Sequence, residues 1–197
     1  MTVATAETVA GLSRPRLAAA RRLAGARSGT LGYPDAHAVA VARCAANIAE
    51  TLRLAPLEQE AVVDGALLHD IGKTKIAPSI LNKPGPLSRR EQTEVRRHPE
   101  IGVELLHGAV DERVLAVVRG HHERWDGGGY PDGLAGDDIP LPARVVAVAD
   151  AFFAMLEERP YRPSKTIDSA LAELKACAGS QFDASCVEAL AATVAGH

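Results

Sequence analysis

Cysteine is scarce in this chain, and its placement excludes two roles. Cys44, Cys177 and Cys186 are odd in number and far apart, which fits neither a disulfide framework nor a cysteine-based zinc spacing. Cys44 and Cys177 fall on the apolar faces of predicted helices, so reduced core thiols in a cytoplasmic protein are expected. No apolar run approaches the roughly 18 residues that a membrane span requires, and the N-terminus lacks the apolar core of a signal peptide. Charge of one sign is not in excess. The formal net charge is -3, so nothing draws the whole chain to duplex nucleic acid or to an anionic membrane. An anionic substrate must therefore meet a local patch of positive charge. Strand-type alternation, internal repeats and low-complexity tracts are absent as well.

What remains is helical patterning. With 197 residues, 47% hydrophobic and 24% charged, the chain has the size and balance of one globular domain. The first thirty residues read as an extension: a weak helix from Pro15 to Arg27, then a break at Ser28 and Gly29. The domain proper is expected over residues 31–197. His37, Val41, Cys44, Ile48 and Leu52 recur at helical spacing. A second helix runs from Glu58 to His69, and Gly72 is expected to stop it. A Pro-rich loop follows from Lys73 to Leu87. Ser88 with Glu91 forms a capping box that opens a third helix. Pro99 ends that helix at His98 and begins the next. Val114, Val117 and Val118 lead into His121 and His122, and a Gly-rich loop spans Asp126 to Gly136. Helices are expected over Ala143 to Leu156, Thr166 to Cys177 and Ala184 to Ala195. The fold class is an all-α bundle.

Five histidines and two aspartates lie at the ends or inner faces of separate helices: His37, His69, Asp70, His98, His121, His122 and Asp150. Imidazole with carboxylate suits iron, manganese, zinc or nickel. Seven donors are enough for two ions. Two metals about 3.5–4 Å apart can clamp a phosphodiester and hold a bridging hydroxide. A lone His37 on an apolar stripe would be a core histidine more often than a ligand. Asp150 lies in an apolar run and needs a partner if buried; an ion pair with Arg144 is the bland reading, and the six-residue spacing is poorly phased for it. The joint occurrence of all seven carries the metal reading.

The segments LLHDIGK (Leu67 to Lys73), ILNKPG (Ile80 to Gly85), HPEIG (His98 to Gly102), HHERWDGGGYPDGL (His121 to Leu134), IPLPARVVAVAD (Ile139 to Asp150), RPYR (Arg159 to Arg162) and GSQFD (Gly179 to Asp183) resemble, in order and spacing, the HD-GYP family. The likeness covers roughly Tyr33 to Ala195. It implies an HD-superfamily helical bundle with a Gly-Tyr-Pro loop, and hydrolysis of cyclic di-GMP to pGpG and onward to GMP. It implies two divalent ions, commonly iron or manganese. His37, His69, Asp70 and Asp150 would hold one, and Asp70 would bridge to a second completed by His98, His121 and His122. Lys73 would contact the scissile phosphate or protonate the leaving oxygen, and Tyr130 would shape the pocket. Arg159 and Arg162 would supply the local positive charge, with helix capping the competing role for both. Partners compatible with the family are a second copy of the chain, or a sensor or diguanylate cyclase.

Three positions depart from the family pattern. Tyr33 stands where trinuclear members place a glutamate, so a binuclear site is expected. Ala40 and Phe153 replace an arginine and an acid that are common there, which bears on specificity and turnover. His107 and His197 match no motif and are expected at the surface or in packing. Glu123 and Asp126 are expected to hydrogen-bond the ligand histidines. Two other activities remain open at this level: hydrolysis of a different nucleotide, and a catalytically weak module that receives a cyclic dinucleotide or a protein partner.

Overall fold

The computed structural model describes residues 18–20, 22–25, 35–158 and 163–195. Among them the architecture is helical: α1 (Ala36–Thr51), α2 (Pro56–Leu68), a 3-10 turn (Ile71–Lys75), α3 (Pro78–Leu81), α4 (Arg89–Arg96), α5 (His98–Leu106), α6 (Glu112–Gly120), α7 (Leu141–Leu156), α8 (Ile167–Ala176) and α9 (Ala184–Ala195), with a second 3-10 turn at Gly136–Asp138. The one extended pairing among these residues is an isolated bridge between Ala178 and Phe182. No described helix is long and apolar enough to cross a membrane.

The expected helices form, with local shifts that have physical causes. Asp35 caps α1 by accepting the Ala38 N–H at 2.9 Å, as a short carboxylate before a helix should. The face that α1 buries is largely alanine: Ala38, Val41, Ala42, Ala45, Ala46, Ile48 and Ala49 are buried, while Cys44 is half-buried. Small side chains let α1 lie close to α2, its main neighbour, and to α7. Ser88 and Glu91 make the capping box: Ser88 N–H donates to the Glu91 carboxylate at 2.6 Å, and Glu91 N–H to Ser88 Oγ at 3.3 Å. That helix stops at Arg96, Arg97 links it to α5, and Pro99 sits in the first turn of α5. The Pro-rich stretch carries the 3-10 turn and α3 rather than plain loop.

Gly72 does not end α2, which closes at Leu68 with His69 as its C-cap. It serves a close approach instead. A Cβ there would lie 2.0 Å from the His98 carbonyl oxygen and 2.8 Å from Gly102 N. Only a glycine lets the 3-10 turn after Asp70 press against the start of α5, which brings Asp70 and His98 together. Gly65 plays the same part between α2 and α6, where a Cβ would meet Val117 Cγ1 at 2.4 Å. Residues 18–20 and 22–25 are helical, and Ala20 and Ala24 belong to the core cluster.

Candidate metal centre

Helix ends deliver most of the donors. His37 is in the first turn of α1, His69 caps α2 with Asp70 next to it, His98 opens α5, and His121 caps α6 with His122 following. Asp150 projects from the middle of α7. The seven residues converge as two groups, Asp70–His98–His121–His122 and His37–His69–Asp150, with the ligand atoms of each group within 4.8 Å of one another. Asp70 also faces both groups. Its Oδ1 is 3.2 Å from His98 Nε2 and 3.9 Å from His121 Nε2, and its Oδ2 is 3.4 Å from His69 Nε2.

Three of the rings are oriented by one repeated device. The Nδ1 atoms of His69, His98 and His121 donate to the carbonyl three residues earlier, at Ala66, Val95 and Val118, over 2.7, 2.8 and 2.9 Å. That fixes each ring's orientation and aims each Nε2 inward, where it can take a metal when it carries no proton. His98 Nε2 and His121 Nε2 then face each other at 3.2 Å. His69 Nε2 is buried with no hydrogen-bond partner. Buried acceptors crowded against acceptors and carboxylates are costly unless a cation sits among them. The donor set therefore fits divalent ions that take imidazole and carboxylate.

Ionisation in the metal-free protein points the same way. Burial would raise Asp70 and Asp150, but His69, His98 and Lys73 hold Asp70 well below the usual carboxylate range, and the His37 hydrogen bond with His69 holds Asp150 below it. Burial, reinforced by the surrounding rings, pushes His121 well below the ordinary histidine value and His122 down to about 3. His69 and His37 go the other way: burial lowers His69, yet the Asp70 and Asp150 carboxylates prevail and raise it to about 9, and the Asp150 hydrogen bond, against burial and with help from Glu157, raises His37. A proton on His69 thus balances the carboxylates where a metal would, and ligation there requires its release.

Other residues frame the centre. Asp150 pairs with His37, Oδ1 to Nε2, at 2.9 Å. The bland reading of Asp150 fails, because Arg144 turns away to Asp183 at 2.8 Å, to Asp137 at 3.0 Å and to the Ile139 carbonyl at 2.8 Å. On its other side His37 Nδ1 meets Glu157 Oε1 at 2.7 Å, a contact that sequence reasoning missed and that no motif signals. Lys73 donates to Asp70 Oδ2 at 2.6 Å. Tyr130 stacks on His122, with ring centroids 4.8 Å apart and planes at 25°.

Glu123 and Asp126 do not contact the histidines as expected. Glu123, 5% exposed, accepts the backbone N–H groups of Asp132, Gly133 and Leu134 at 2.7, 3.1 and 3.1 Å. Asp126 pairs with Arg124 and accepts Gly128 N–H. Both shape the Gly-Tyr-Pro loop. Gly129 lets that loop pass the chain behind it, since a Cβ would fall 2.4 Å from Arg124 N. The GSQFD segment completes the clamp: the Gln181 and Ser180 carbonyls accept Trp125 and Asp126 N–H at 3.1 and 2.8 Å. His107 is exposed at the end of α5. Ala40 and Phe153 line one cleft of about 400 Å³ with Cys44, Phe152 and Val194. Arg159, Arg162, Tyr33 and His197 lie outside the described residues.

The sequence model of the HD domain family matches residues 13–186. The chain belongs to the HD domain family. Its run from His121 to Leu134 places this HD domain in the HD-GYP group. It is 50% identical over 147 residues to the cyclic di-GMP phosphodiesterase response regulator RpfG of Xanthomonas campestris pv. campestris, covering 73% of this chain and 39% of that protein. It is 39% identical over 159 residues to the 3'3'-cGAMP-specific phosphodiesterase 2 of Vibrio cholerae, covering 79% of this chain and 30% of that protein. The HD domain thus spans well under half the length of these two relatives. Among solved structures, the V. cholerae cyclic GMP-AMP specific phosphodiesterase V-cGAP3 superposes with a TM-score of 0.68 at 22% identity, over 91% of this chain and 48% of that one, a likeness of fold.

Proposed function

We propose that this HD domain is a metal-dependent phosphodiesterase that hydrolyses a cyclic dinucleotide, with cyclic di-GMP opened to pGpG and then cut to GMP. The observation that carries the reading is Asp70, whose two carboxylate oxygens turn toward two groups of inward-aimed donors. The names of the two relatives support a cyclic dinucleotide, and the higher identity to the cyclic di-GMP enzyme favours that substrate.

In this reading His37, His69, Asp70 and Asp150 would hold one divalent ion, and His98, His121 and His122 with Asp70 would hold a second; iron or manganese suits the set. Bound there, the ions supply Lewis acidity and water of lowered pKa. The chain does the rest. The carbonyl-anchored histidines keep their Nε2 atoms in place before substrate arrives. Lys73, fixed on Asp70, meets the scissile phosphate and protonates the departing oxygen. Tyr130, stacked on His122, forms a wall of the pocket, and Arg159 and Arg162 add positive charge for the phosphates.

The test is turnover by protein prepared without oxygen and loaded in turn with Fe(II) and Mn(II), with products separated by chromatography. pGpG or GMP is the expected product. No product, with metal and cyclic di-GMP both bound, would replace hydrolysis by reception of the nucleotide.

Glu157 gives a second check. A carboxylate on the far nitrogen of a ligand histidine orients the ring and raises its basicity. Glu157→Ala is expected to weaken metal retention about 10- to 100-fold in competition with a chelator. The thermal midpoint of the metal-free protein should move little, because the Glu157 side chain is 40% exposed. Unchanged retention would remove Glu157 from the site.

A further inference from the structure

The metal centre continues outward into a stack that ends in a cation. His122 carries Tyr130 on its face, and the Arg96 guanidinium carbon lies 5.2 Å from the Tyr130 ring centroid on the same tyrosine. Arg96 is the last residue of α4, two positions before the donor His98, and its side chain is exposed. Arg113, Arg119, Arg124 and Arg144 each reach a carboxylate. Arg96 reaches none among the described residues, as is true of several other surface arginines, and what sets it apart is its place over Tyr130 beside the donor cluster.

A guanidinium held over a ring by cation–π attraction keeps its N–H edges available, and that fork matches the oxygens of a phosphate. A chain of net charge -3 meeting a dianionic ligand needs such a cation beside its metal centre. A cyclic dinucleotide carries two phosphodiesters in one ring. Lys73, bonded to Asp70, serves the one at the donor cluster; Arg159 and Arg162 add charge for the phosphates, and Arg96 on Tyr130 is placed to contact the other directly.

We propose that Arg96 is a substrate-binding residue that grips the second, non-scissile phosphate of the cyclic dinucleotide from its seat on Tyr130; the proposal rests on the phosphodiesterase reading above. Tyr130 then has two tasks, packing on a donor histidine and carrying the arginine. Lysine at this position keeps the charge but loses both the planar fork and the stack.

The experiment compares wild type, Arg96→Gln and Arg96→Lys, all loaded with Mn(II), on cyclic di-GMP and on bis(p-nitrophenyl) phosphate, which has a single phosphodiester. Arg96→Gln should raise KM for cyclic di-GMP about 10- to 100-fold, as expected for a lost charge-assisted bond, while kcat changes far less. The loss should be much larger on cyclic di-GMP than on the single diester, with Arg96→Lys in between. Equal losses on both substrates, or an unchanged KM for cyclic di-GMP, would overturn the assignment. If the wild type hydrolyses neither compound, the phosphodiesterase reading fails, and equilibrium binding of cyclic di-GMP to the same Mn(II)-loaded proteins decides on Arg96. Weaker binding by Arg96→Gln then supports it, and equal binding, or none by any of the three, overturns it.

Discussion

Alanine at both His69 and Asp70 is expected to abolish metal retention and cyclic di-GMP hydrolysis together. His69 is a member of one donor group, and Asp70 presents an oxygen to each. Without them the first group keeps only His37 and Asp150, which already bond each other at 2.9 Å. The second keeps three imidazoles but loses its only carboxylate and the residue that faces both groups, so the mixed donor set that suits iron or manganese and the pairing of the two groups are both lost. The fold should survive. The two removed groups are each other's partner, His69 Nε2 lying 3.4 Å from Asp70 Oδ2, and removing both members of a pair costs far less than orphaning one of them; Lys73, 36% exposed, turns to water. The double variant should therefore keep its helical circular dichroism while bound metal and turnover both fall below detection. Hydrolysis at the wild-type rate by a folded, metal-free double variant would refute the site.

The donors were legible in the sequence because each is tied to a local signal. His69 and Asp70 follow an apolar helix end, His98 precedes a helix-starting proline, and His121 and His122 close a valine-rich helix. The helix boundaries were legible for the same reason, through capping and periodicity. What escaped is set by tertiary placement. Glu157 meets His37 across 120 residues, and the sequence around it carries no feature of a ligand's partner. Arg144 could be excluded as a neighbour of Asp150 by helical phase, yet its true partner, Asp183, is 39 residues away. Arg96 looks like any charged residue at a helix end until Tyr130 is folded beneath it. Gly72 fits a helix stop by residue type, because glycine commonly ends helices; the neighbouring backbone it accommodates becomes visible only once α5 is docked.

Glu123 is the position where a single change should cost most without touching a donor. Its carboxylate accepts three successive backbone N–H groups, with Oε1 taking Asp132 and Gly133 and Oε2 taking Leu134. The side chain is 5% exposed, so water cannot readily replace it. In Glu123→Gln one oxygen remains, but an amide N–H must confront a backbone N–H. Bonds to a charged acceptor contribute about 1.5–3 kcal/mol each and a buried unmet donor costs about 1–3 kcal/mol, so a net loss of about 2–4 kcal/mol is expected. For a domain of this size that lowers the thermal midpoint by about 4–16 °C. The functional consequence follows from what the carboxylate holds. The clamped residues directly follow Tyr130 and Pro131, and Tyr130 N–H is itself tied to the His122 carbonyl at 3.2 Å. A loosened loop releases the ring from His122 and takes the seat from under Arg96. KM for cyclic di-GMP should therefore rise while bound metal per chain stays at the wild-type value, since no donor lies in the clamped segment. Glu123→Ala, which leaves all three N–H groups without an acceptor, should be worse in both respects. Wild-type stability and KM in Glu123→Gln would show that the Gly-Tyr-Pro loop keeps its form without this carboxylate, through its other contacts at Trp125, Asp126, Tyr130 and Asp132.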